Sequence, residues 1–146
     1  MANVFDVAAY ILEKIPGDMS TWKLQKLVYY CQAWHSVWED KALFPERIEA
    51  WFAGPVVPNL YNIHKGKFSI TRQELTVGDS NKLLPEEKGT IDKVLDTYAK
   101  FSGYQLSQMS HRERPWKEAR GDCKDDEICH NEITLEKICE FYSSVL

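Results

Sequence analysis

Apolar positions recur at helical spacing along most of the chain, most densely from Trp22 to Asp40, WKLQKLVYYCQAWHSVWED. Leu24, Val28, Cys31, His35 and Trp38 form one stripe, and Leu27, Tyr30, Trp34 and Val37 form a second beside it. Together they exceed the roughly 100° apolar face of a helix packed on one side. Only Lys23, Gln25, Lys26, Gln32, Ser36 and Glu39 are left to face water. The pattern predicts a central helix over 21–39, wrapped by neighbours on two sides.

The other elements are weaker versions of the same signal. Val4, Val7, Ala8, Ile11, Leu12 and Ile15 predict a first helix, with Asn3 as its N-cap and Pro16-Gly17 as its end. Asp18 or Ser20 then caps the central helix, and so short a connection predicts antiparallel packing. Ile48 to Phe52 suits either a helical turn or a strand, and Gly54-Pro55 reads as a break. Pro58 opens a helix from Asn59 to Lys65 that Gly66 ends.

From Lys67 to Leu84 the pattern is weakest; Phe68, Ile70, Leu75 and Val77 are spaced by twos, which suits a small β-hairpin near 67–78. Pro85 begins a clear helix whose face is Ile91, Val94, Leu95, Tyr98 and Phe101, with Gly103 as its stop. A shorter helix covers Tyr104 to His111, and Pro115 opens a turn carrying Trp116 and Ala119 inward. Asp122 to Asn131 reads as a polar loop. The last helix starts near Thr134 and buries Leu135, Ile138, Cys139, Tyr142 and Leu146. The expected fold is mainly α, a compact single-domain bundle of about six helices around the central one, spanning residues 1–146.

Composition narrows the function. A net charge of −4 disfavours a general nucleic-acid binder, which needs a clustered basic footprint. No apolar run approaches the roughly 20 residues that span a bilayer, and Asp6 and Glu13 interrupt the N-terminal apolar residues, so no secretory signal is visible. A cytoplasmic location is the default, and there Cys31, Cys123, Cys129 and Cys139 are expected as reduced thiols. The spacing of Cys123, Cys129, His130 and Cys139 matches no common zinc pattern.

No nucleophile elbow, metalloprotease helix or phosphate-binding loop occurs, and His35, His64, His111 and His130 are scattered. No catalytic residue, metal ligand or cofactor is expected, and the chain reads as a non-enzyme.

Three clusters still ask for a role. The first is Lys23, Gln25 and Lys26, followed on the same helix by Tyr29, Tyr30 and Trp34. The second is Glu49, Trp51, Gly54, Pro55 and Tyr61. The third is His111, Glu113, Pro115, Trp116 and Arg120, among further charges at Arg112, Arg114, Lys117 and Glu118. Mixed charges around an aromatic suit either a recognition surface or a wet face of paired charges. A solvated first turn explains the first cluster equally well, and a structural turn the second.

Taken in order, KLQKLVYYCQAWH, EAW-x-x-GPVVPNLY and S-H-x-E-x-PW-x-x-AR resemble the Panacea antitoxin domain family, which includes SocA-like antitoxins and phage-associated GepA-like proteins. Asp6 to Leu12 fits the family's first helix, so the resemblance runs from about Asn3 to Tyr142. Ser110 keeps the hydroxyl where the family usually has threonine.

The resemblance implies a helical, non-enzymatic antitoxin of a bacterial or prophage toxin–antitoxin pair. Its partner would be a toxin protein encoded by the adjacent gene. A protease joins as partner if the protein acts instead as an adaptor delivering that toxin for degradation. RNA binding through Trp116 is the reading from another class. The expected toxin interface is the aromatic surface around the central helix and Trp116, rimmed by Lys23, Lys26, Arg112 and Arg120.

Overall fold

A computed structural model describes residues 1–124 and 128–145. Leu146 and part of the expected 122–131 loop lie outside them. Each helix starts where the sequence offers an acceptor or a proline. α1 (Val4–Lys14) is closed by a reciprocal capping box between Asn3 and Asp6. The Ser20 side chain accepts from the backbone N–H of Lys23 and starts α2 (Thr21–Trp38). α3 (Pro58–His64) and α4 (Pro85–Tyr98) open on proline, and Thr134 caps α7 (Leu135–Ser144).

α4 ends earlier than expected. Ser102 and Gln105 form a capping box that starts α5 (Gly103–His111), so Gly103 opens a helix instead of stopping one. A Cβ on Gly103 would lie 2.9 Å from the Lys23 backbone nitrogen, so glycine lets α5 press onto the start of α2. α6 (Arg114–Arg120) follows directly. Among the described residues there are thus seven α-helices, one more than expected, with a short 3-10 turn at Ser80–Lys82.

α2 is the post of the fold, packed chiefly against α4, α5 and α7. It is more deeply enclosed than its two stripes suggested. Leu24, Leu27, Val28, Tyr30, Cys31 and His35 are fully buried, but so are Gln25, Lys26, Gln32 and Ser36, which the pattern gave to solvent. Most of these polar groups are inside because they bind backbone. Gln32 accepts from Leu43 N–H at 2.7 Å and donates to Phe44 O at 2.8 Å, pinning the chain beyond α2. Ser36 Oγ donates to Ala33 O at 2.6 Å. At the other end α2 emerges: Trp34 is half-buried and Trp38 exposed, although each belongs to one of the two apolar stripes.

Two small antiparallel sheets complete the domain. β1 (Met19–Ser20) pairs with β4 (Ser69–Ile70), so Ile70 bonds to a strand 50 residues away rather than to the 75–77 run. The expected hairpin near 67–78 is therefore absent. Between those runs Thr71 and Glu74 bond each other's backbone N–H and turn the chain instead.

The second sheet has the order β3-β2-β5, from β2 (Ile48–Trp51), β3 (Gly54–Val56) and β5 (Glu132–Ile133). Ile48–Phe52 is thus mostly strand, and the chain reverses at Phe52-Ala53 rather than at Gly54-Pro55. Cys123 and Cys129 are joined as a disulfide, which corrects the expectation of four free thiols; Cys31 and Cys139 are free.

Candidate functional site

The three clusters meet at the β2–β3 hairpin. α5 and α6 run beneath it and present four donors to four consecutive carbonyls. Arg120 Nη1 reaches Ala50 O at 3.0 Å, Trp116 Nε1 reaches Trp51 O at 2.8 Å, His111 Nε2 reaches Phe52 O at 3.0 Å and Ser107 Oγ reaches Ala53 O at 2.6 Å. A short hairpin has backbone acceptors that its own ladder leaves open, and these side chains satisfy them. Arg120 also donates to Lys124 O, and the His111 and Trp116 rings stack at 4.2 Å.

The first cluster holds the other end of the hairpin. Gln25 Oε1 accepts from Val57 N–H at 2.8 Å and its amide nitrogen donates to Val57 O at 3.3 Å. The same nitrogen donates to His64 Nε2 at 2.9 Å, which leaves that imidazole neutral with its proton on Nδ1. Lys23 Nζ donates to Ala99 O at 2.6 Å, at the C-terminal end of α4, where a cation is favourable. On the hairpin's outer face Glu49 accepts from Trp51 Nε1 and Arg47 Nε, and Trp51 meets Tyr61 edge to face at 4.9 Å. Pro55 is buried.

Glu113, the N-cap of α6, faces the opposite way. Its carboxylate accepts from Tyr30 and Tyr142, each at 2.8 Å, and the Tyr29 hydroxyl lies 3.2 Å from that of Tyr142. One carboxylate thereby ties α6 to α2 and α7. Trp34 extends this aromatic group, donating to the Tyr98 hydroxyl at 3.0 Å.

The model of the antitoxin SocA-like family, Panacea domain, matches residues 24–117. The chain belongs to this family. Comparisons with curated proteins and with solved structures each returned no match.

The stretch that marks the Panacea domain runs from α2 into α6 and contains the hairpin with three of its four carbonyl donors; Arg120 and the flanking α1 and α7 fall outside it. Sequence reasoning found Gln25, His111, Trp116 and Arg120 but missed Ser107. Its hydroxyl, three residues before Ser110 on a helix face, was the available signal.

The electrostatics single out one residue. Lys26, expected at the exposed start of α2, is 1% exposed. Its neighbours Gln25 and Gln32 are paired, but no hydrogen bond or ion pair joins its ammonium to another described residue. Burial holds its pKa down at about 7. Its stem lies under the hairpin: a Cβ on Gly54 would sit 2.7 Å from Lys26 Cε and 3.2 Å from Ser110 Oγ. Gly54 has φ +117°, so both its conformation and this contact call for glycine.

Lys26 lines a cavity of about 210 Å³, shared with Trp22, Trp51, Tyr61, His64 and Lys67. Burial lowers the pKa of His64 and of His111, keeping both neutral near pH 7. It raises that of Glu113, against the pull of the two tyrosine hydroxyls.

Among the described residues no group of three or more His, Cys, Asp or Glu is placed to hold a metal ion, and no helix is long and apolar enough to cross a membrane.

Proposed function

We propose that this Panacea domain is an antitoxin that neutralises a toxin protein by direct binding, without catalysis, the toxin being encoded by a neighbouring bacterial or prophage gene. Family membership over 24–117 carries the reading. The geometry supports a binding role: the side chains that chemistry would recruit are spent on holding the hairpin, and what they hold is a rigid surface. The expected interface changes accordingly. Of the expected rim, Lys26 and Arg120 are buried, and the expected anchor Trp116 is buried as well, whereas Trp22, Phe52, Phe68 and Tyr104 are exposed. Exposed aromatics are the residues that most often anchor protein interfaces.

A growth assay tests the proposal. Each neighbouring open reading frame is expressed alone and then with this protein. Toxicity that the protein relieves, with both proteins purifying together, supports direct neutralisation. Relief with disappearance of the toxin replaces it with degradative delivery. No toxic neighbour, or none that is rescued, overturns the pairing.

A further inference from the structure

The cavity at Lys26 has the features of a socket built for one negative charge. On α2, Gln25, Gln32 and Ser36 each bind backbone and His35 meets Thr90 through Nδ1, although its Nε2 has no partner, whereas no hydrogen bond or ion pair joins Lys26 to another described residue. A buried ammonium without a counter-charge is strongly disfavoured, and the fold places it at a cavity wall rather than in solid packing. None of the residues lining that cavity is acidic; Lys67, the other lysine of the lining, is already paired with Glu74 at 3.4 Å. Another polar lining group, His64, accepts a hydrogen bond from the Gln25 amide and is thereby held neutral. The electrostatic complement of the cavity is therefore an anion brought from outside.

The walls and surroundings narrow the kind of anion. Trp22, Trp51 and Tyr61 give the cavity flat aromatic sides. Phe52 and Phe68, chain neighbours of lining residues, are exposed, Phe68 by 88%. Trp22 lies half in the cavity wall and half in solvent. Gly103, which starts α5, abuts Trp22: a Cβ there would lie 3.0 Å from Trp22 Cβ.

A free inorganic anion has no use for such an apolar collar, whereas a protein segment does. The structure assigns the cavity, we infer, as the receptor for an acidic side chain of a partner protein, an Asp or Glu flanked by apolar residues, whose carboxylate pairs with Lys26. This rests on the reading of the protein as one that binds a protein partner, and it names the chemistry of the partner's anchor. Seating the carboxylate satisfies the ammonium and covers the aromatic collar in one event, the arrangement of a central buried pair ringed by water-excluding contacts.

The test uses the full chain and no toxin, so it stands apart from the question of which protein is neutralised. Calorimetric titrations compare the blocked peptide acetyl-Leu-Glu-Phe-amide with its Gln counterpart, and both with sodium acetate and inorganic phosphate, on the wild type and on Lys26→Met. The expected result is that the Glu peptide binds at least tenfold tighter than the Gln peptide and than acetate or phosphate, and that Lys26→Met removes this preference. Carbon-13 and nitrogen-15 labelling of lysine then reports the seat directly, since the Lys26 pKa rises when the carboxylate arrives.

Equal binding of the Glu and Gln peptides, or no binding of either, overturns the proposal. Acetate or phosphate binding as tightly as the Glu peptide overturns it in favour of a small-anion site. Persistence of the Glu preference in a folded Lys26→Met protein places the carboxylate elsewhere and overturns it as well.

Discussion

Lys26→Met should make this protein more stable. Methionine has the length and flexibility to follow the lysine stem past Gly54 without leaving a void. The charge it removes is 1% exposed and has no acceptor among the described residues. A fall in pKa from 10.5 to about 7 corresponds to about 5 kcal/mol of disfavour for the buried ammonium. That is a ceiling, because the cavity gives water a route to the charge. Replacement of buried charges by apolar groups of similar size gives gains of about 1–4 kcal/mol, which is the range expected here near pH 6. Lys26→Glu would bury a carboxylate instead and would not separate binding from folding.

The pH profile makes the prediction specific. Below about pH 7 lysine is protonated in both the folded and unfolded chains, and the whole burial penalty acts on the fold. Between about 7 and 10.5 only the unfolded chain keeps the proton, so the unfolded state binds more protons and wild-type stability rises with pH. Above 10.5 the amine is neutral in both states and the penalty is gone. Urea unfolding of both proteins from pH 6 to 11 therefore gives a stability difference that is largest at the acid end and closes at the alkaline end. Titrations that the Lys26 charge does not touch are shared by the two proteins and cancel in the difference. His64 and His111, each held down slightly by the Lys26 charge, should titrate a little higher in the variant. A wild type as stable as Lys26→Met at pH 6, or a difference that does not change with pH, would refute the reasoning.

Three further outcomes are expected. Gln32→Leu leaves the Leu43 N–H and Phe44 O buried and unpaired, so it should cost about 2–4 kcal/mol, read as a lower urea midpoint. Trp34→Ala should cost about 2–3 kcal/mol, less than truncation of a fully buried ring because Trp34 is only half-buried, with calorimetric melting as the check. Glu113 has a folded pKa above its ordinary 4.5, so its burial favours the fold below about pH 4.5, and that contribution is lost as pH rises through the folded value. The Glu113→Gln variant should lack that fall, and carboxyl carbon-13 shifts of the wild type should show Glu113 titrating above 4.5; titration at or below 4.5 would contradict it.

The helices were legible where the sequence carries both a start signal and a stripe. Asn3, Pro85 and Thr134 begin α1, α4 and α7 as read, and Ser20, one of two caps the sequence offered, begins α2, because caps and prolines act on neighbouring backbone and need no tertiary partner. The strands were not legible, since β4 finds β1 and β5 finds β2 across long stretches of chain. A strand of two residues carries no period of its own.

The assignment of Gln25, Gln32 and Ser36 to solvent failed for a different reason. Periodicity separates apolar from polar, and it does not separate polar groups that want water from polar groups that bind backbone. A signal was present. From residue 27 to 38 there is no Asp, Glu, Lys or Arg, so the arc taken as wet held only an amide and a hydroxyl over three turns. A solvated helix face normally carries charge.

That distinction also changes what the family motifs mean here. Gln25, His111, Trp116 and Arg120 were read as candidates for touching a partner, yet each is committed to a backbone group of the hairpin or its continuation at Val57. Their role is to hold one turn of chain in one place, and replacing any of them would disturb binding by displacing the hairpin rather than by removing a contact. Lys26 is the exception within the same motif. It sits among these satisfied groups with no partner among the described residues, at a cavity walled by Trp22, Trp51 and Tyr61. The frame and the socket thus make opposite demands on the sequence. The frame residues stabilise the fold and should be lost together with it. Lys26 opposes the fold, so a substitution that removes it should strengthen the fold and weaken the grip on a partner. Measuring stability and binding on the same set of variants separates the two roles, because only Lys26 should move them in opposite directions.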